Sequence, residues 1–165
     1  MENDLIAIFK ELDKWIEDMN EQSLTEGFNF NPNCSITILG QMGLLVDEEI
    51  AIQLNPVATV DLDAWVKSES SITQELKSLL SKNGLILDEL SNEIWLPEEY
   101  EVEDFYISDR ITCLKVKPLY LLVSKAIKAK EKNRILVKEA IGIFKEELVD
   151  MIIKYGGDPS YFING

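Results

Sequence analysis

Apolar side chains recur along this chain with two periods, and the period changes mark its predicted elements. Leu5, Ile6, Phe9, Leu12, Trp15, Ile16 and Met19 return at threes and fours, which predicts a helix over 3–19 with Glu and Lys on its outer face. Residues 20–33, made largely of Asn, Glu, Gln, Ser, Gly and Pro, read as a loop. Ser35 to Leu39 then alternates as a short buried strand. Gly40-Gln41-Met42-Gly43 turns the chain, and a helical run follows from Leu44 to about Leu54, where Asn55-Pro56 breaks it. Thr59 to Val66 alternates again: Val60, Leu62, Ala64 and Val66 on one face, Asp61, Asp63 and Trp65 on the other.

Downstream, Ser68 to Ser71 can cap a helix over about 70–82 with Leu76, Leu79 and Leu80 inward, ended by Asn83-Gly84. Short strands are expected at 85–88 and 93–96, with Trp95 a core or half-buried aromatic and Pro97 closing the second. A hairpin of strands near 104–108 and 111–116 is expected across Ser108-Asp109-Arg110. Pro118 opens a helix in a position that tolerates proline, with Leu119, Leu122, Val123, Ala126 and Ile127 buried and Leu121, Lys125, Lys128 and Lys132 along one adjoining face. A last helix over about 135–155 stops at Gly156-Gly157. The order of elements predicts an α+β fold in one domain spanning 1–165: a small mixed sheet over 35–116, flanked by helices and followed by a C-terminal helical pair over 118–155.

Composition narrows the chemistry. With 165 residues, 46% hydrophobic and 28% charged, the chain has enough apolar material for one substantial core. No histidine is present, which removes Ser-His-Asp and Cys-His nucleophilic schemes and the usual zinc sites. Cys34 and Cys113 form neither a disulfide framework nor a metal spacing, and are expected as ordinary buried thiols. The N-terminus is acidic and is not a signal peptide, and no apolar run reaches the length of a membrane span, so a cytoplasmic location is expected.

The net charge of −14 argues against broad nucleic-acid binding, which depends on phosphate neutralisation. Yet Lys115 to Lys138 holds eight basic residues against the single acid Glu131, a local charge of +7. Such a run can be a solvated face or can meet an anion. Asp61 and Asp63, two residues apart on a strand, project from one side with backbones about 7 Å apart. They can be solvent-facing acids, or they can hold a divalent metal that relieves their repulsion. Gly40 makes a tight turn, and with the helix start after it can also cradle a phosphate.

Taken in order, Leu39-Gly40-Gln41-Met42-Gly43-Leu44, Thr59-Val60-Asp61-Leu62-Asp63, Ile94-Trp95-Leu96-Pro97, and Leu121 to Ala126 with Lys132-Asn133-Arg134 resemble the polymerase-β-like nucleotidyltransferase superfamily. In particular, the chain looks like the small bacterial members related to abortive-infection and toxin–antitoxin systems. The likeness implies Mg²⁺-dependent transfer of a nucleotidyl group from an NTP to an acceptor hydroxyl on a protein, a tRNA or a small molecule. Asp61 and Asp63 would hold the metal and carry catalysis, Gly40 and Gln41 would contact the triphosphate, and Lys125 and Lys128 would neutralise its outer phosphates. A third carboxylate is implied, for which Glu93, Glu103 and Asp104 are the candidates. The chain departs from the pattern: active members have Gly-Gly or Gly-Ser where Gly40-Gln41 stands, and an arginine often occupies the place of Val57. The alternative is therefore a nucleotidyltransferase fold that binds or regulates without catalysis, for example as half of a toxin–antitoxin pair with a protein partner. A weaker alternative is an acidic mimic of nucleic acid.

Overall fold

Five strands carry the alternating segments: β1 (Cys34–Ile38), β2 (Asp61–Lys67), β3 (Ile86–Asp88), β4 (Val102–Ile107) and β5 (Ile111–Val116). They form one mixed sheet in the order β3-β2-β1-β5-β4 in a computed structural model that describes residues 1–164. β1 lies at the centre, antiparallel to β2 and parallel to β5, while β3 runs parallel to β2 and β4 antiparallel to β5. Eight helices surround the sheet among the described residues: α1 (Glu2–Glu26), α2 (Gly40–Leu45), α3 (Glu48–Leu54), α4 (Ser70–Lys82), α5 (Pro118–Lys128), α6 (Arg134–Phe144), α7 (Glu146–Lys154) and α8 (Ser160–Ile163). The α+β class is thus as expected, and among the described residues no helix is long and apolar enough to cross a membrane.

The two faces of the sheet pack against different layers. Leu62 and Ala64 of β2 and Ile36 of β1 join a core with Leu5, Phe9, Leu12 and Ile16 of α1 and Ile72 and Leu76 of α4. Each such aliphatic side chain contributes about 1.5–3 kcal/mol when fully buried. The opposite layer is a second core of Leu44, Ile50, Leu122, Val137, Leu148, Ile152 and Phe162, drawn from α2, α3 and α5 to α8. Strand alternation dictates that Asp61, Asp63 and Trp65 face this second layer.

Several boundaries differ from the sequence reading. α1 continues through Asn20 to Glu26, because that polar stretch contains neither proline nor glycine, and it stops at Gly27, whose N–H reaches the Ser23 carbonyl. The run 44–54 is two helices, since the Asp47 carboxylate caps the Ile50 N–H and starts α3 afresh. Residues 93–96 do not form a strand. Asp88 caps a 3-10 turn over Glu89–Glu93, and the Ser91 hydroxyl accepts the Ala64 N–H at 3.2 Å. α5 ends at Lys128, leaving Lys132 in the turn before α6. The expected last helix breaks at Lys145, which has φ 52°, so four helices follow the sheet rather than two.

Candidate functional site

Asp63 organises the site. It lies on β2 beside Asp88 of β3 in exact parallel register, and aligned residues of parallel strands point to the same face. Burial first, and then the neighbouring Asp88 carboxyl and its charge, raise the Asp63 pKa to about 6, against the opposing Gln41 N–H and the Lys125 charge. A carboxyl pair in this arrangement holds either a shared proton or a cation between its oxygens.

Gly40 permits that approach. Its φ is +60°, and a Cβ there would stand 2.3 Å from Asp63 Oδ2. The next residue completes the contact: the Gln41 N–H donates to the same oxygen at 3.2 Å. Gln41 Nε2 reaches the Val57 carbonyl at 2.8 Å, tying down the 55–60 segment at the cleft rim. The turn expected to cradle phosphate therefore serves Asp63 first, and the six-residue α2 is too short for a strong helix dipole.

The lysine wall comes from α5. Gly43 of α2 lets Leu121 pack against it, where a Cβ would fall 2.6 Å from Leu121 Cδ1. One turn further along α5 stands Lys125. Burial pulls its ammonium below the ordinary lysine range, offset by the Asp63 carboxylate and reinforced by Lys132. Lys128 Nζ lies 5.4 Å from the centroid of the Trp95 ring.

A cleft of about 1200 Å³ joins these parts, lined by Gly40, Gln41, Asp61, Asp63 and Asp88 on one side and Lys125, Lys128 and Lys132 on the other. A smaller cavity of about 490 Å³ opens at the β3 edge, beside the ion pair of Lys77 and Glu89. Asp61 and Asp88 line both.

Two expectations are corrected. Glu103 and Asp104 lie on β4 at the far edge of the sheet, three strands from β2 or about 14 Å. Glu103 is paired there with Lys115 at 3.3 Å. Glu93 does line the cleft, but the carboxyl beside Asp63 is Asp88. The signal for it was the strand expected at 85–88, since a strand-helix-strand unit sets β3 parallel to β2. The +7 segment is also not one cationic face: Lys115 pairs with Asp47, Lys117 with Glu101, and Lys130 and Arg134 lie against Tyr161.

An oxygen-only donor set on Asp61, Asp63 and Asp88 matches magnesium in kind. As placed, no three such ligands among the described residues converge into one cluster. Against protein-family models, curated proteins and solved structures alike, the chain gives no significant match, so its chemistry is read from these residues alone.

Proposed function

We propose that this chain transfers a nucleotidyl group from a magnesium-bound NTP to an acceptor hydroxyl, with Asp61 and Asp63 as the carboxylates that would hold the metal and Asp88 beside them, the three drawing together only around a bound ion. What carries the reading is the single cleft in which these acids face Lys125, Lys128 and Lys132. Acids alone suit a cation and lysines alone suit an anion, whereas a metal–triphosphate requires both. When bound, magnesium would polarise the α-phosphate and lower the pKa of the attacking hydroxyl. The acceptor oxygen forms its bond to the α-phosphorus as the bond to the β-phosphate oxygen breaks, and pyrophosphate leaves. Lys125, held opposite Asp63, neutralises charge on the leaving group, and the acceptor proton passes to a cleft carboxylate and on to solvent.

A second reading keeps the cleft and drops the transfer: a nucleotide-binding regulatory protein, such as a toxin–antitoxin component. The close pairing of Asp63 with Asp88 in register and the Gln41 side chain anchored to Val57 favour it. Thermal melting with Mg²⁺ and each NTP tests both readings. Ligand at 100 times Kd stabilises by about 2.7 kcal/mol. No shift with any NTP at millimolar concentration rules out both. A shift without pyrophosphate release, across protein, tRNA and small-molecule acceptors, favours the second. Asp61→Asn with Asp63→Asn should remove the Mg²⁺ dependence while the fold persists.

A further inference from the structure

We infer that Trp95 is the platform on which the nucleobase of the bound nucleotide stacks, an assignment that rests on the nucleotide reading of the cleft. The ring is half-buried, packs against the second core and also lines the cleft. It is also held in place from behind. The Ser124 hydroxyl of α5 donates to the Trp95 carbonyl, and Tyr155 packs against the indole with centroids 5.2 Å apart at 74°. A rigid aromatic loses little freedom when it binds, which is what a stacking platform requires.

Two features orient the nucleotide. Lys128 Nζ stands over the ring, 5.4 Å from its centroid, so the face it covers is one that Lys128 can uncover by swinging away. A nucleobase would stack there by π overlap once the ammonium moves to the triphosphate. The helix sets the spacing: Lys125, opposite Asp63, precedes Lys128 by three residues, so the phosphate-facing end lies about 4.5 Å along α5 from the aromatic end. Ile94 and Leu136 add apolar surface to the same cleft. Stacking on an indole accepts every base, so all four NTPs should bind, purines more tightly than pyrimidines.

The test compares two ligands on three proteins: Mg–ATP and Mg–tripolyphosphate against the wild type, Trp95→Leu and Trp95→Phe. Trp95→Leu should weaken Mg–ATP about tenfold or more, the range lost with one base–aromatic stack, while Mg–tripolyphosphate stays within twofold. Trp95→Phe should hold Mg–ATP within about threefold, yet lose the quenching of indole emission that ATP produces in the wild type. Should Trp95→Leu fail to fold, the Phe variant decides through that emission. If the wild type binds Mg–ATP and Trp95→Leu binds it equally well, or loses both ligands alike, the base lies elsewhere and only this inference falls. The same holds if Trp95→Phe keeps the full quenching. If the wild type binds Mg–tripolyphosphate but not Mg–ATP, the platform is wrong and the phosphate wall stands. If it binds neither, the nucleotide reading falls with it.

Discussion

A single side chain, Asp63, ties together the backbone, the electrostatics and the chemistry of the cleft. Gly40 is at this position because Asp63 Oδ2 occupies the space of a Cβ and because its φ is positive. Gly40→Ala should destabilise the fold by about 1–3 kcal/mol. In an Asp63→Ala background the steric part disappears, so urea denaturation should give a visibly smaller cost and a non-additive cycle. Additive costs would mean that backbone strain alone fixes the glycine. Protonation gives a second expectation. The unfolded chain releases the Asp63 proton in the ordinary carboxyl range, whereas the folded chain holds it up to about 6. Between those values the folded state binds more protons, so this group's contribution to stability falls as pH rises and is fully lost above about 6. Melting temperatures from pH 4.5 to 7.5 should therefore show the wild type declining relative to Asp63→Asn. Mg²⁺ should recover the wild type most above pH 6, where it no longer competes with the proton. A flat difference between the two proteins would show that burial and Asp88 do not raise the Asp63 pKa.

Legibility in the sequence follows the range of the interaction that fixes each element. β2 was readable because alternation is local, and its apolar face indeed enters the core at Leu62 and Ala64. The extension of α1 to Glu26 was not, since polarity alone does not separate a solvated helix end from a loop. The 85–88 strand is legible, and the strand-helix-strand order implies that it runs parallel to β2, but the register that sets Asp88 beside Asp63 is fixed only by the packed sheet. The lysine helix was readable, but not which of its lysines enter the cleft. That is set by Leu121 seated on Gly43, a contact between two helices far apart in the chain. A matched pair of variants checks this placement. Lys125→Met, of similar length and without charge, should remove most of the Mg–NTP melting shift. Lys130→Met, whose ammonium lies over Tyr161 at 5.0 Å outside the cleft, should leave it unchanged. Equal losses would mean that the whole segment acts only as a diffuse charge.

Over the whole molecule, the sheet separates two cores, and the cleft lies where the edge formed by β2 and β3 faces α5 and the turn into α6. Acids come from the sheet and bases from the helical layer, so opposite charges meet only after both layers have packed. This division also governs which polyanions the chain can engage. The overall charge is −14, and the basic segment is broken up by its own partners: Lys115 is held by Asp47 and Glu103, and Lys117 by Glu101. Three lysines, 125, 128 and 132, line the cleft, and they face Asp61, Asp63 and Asp88 rather than a continuous basic track. Duplex DNA or RNA should therefore not bind appreciably at about 150 mM salt. If a single strand enters the cleft at low salt, three phosphate contacts limit the slope of log K against log[salt] to about −2, at roughly −0.7 per contact for a single strand. Fluorescence anisotropy with a labelled duplex and a labelled single strand, titrated at several salt concentrations, measures both. A slope steeper than about −5 would require at least seven phosphate contacts, more than the cleft lysines supply. Lys130, Arg134 and Lys138 together with a further basic residue such as Lys117 would then have to leave their partners to form a nucleic-acid track.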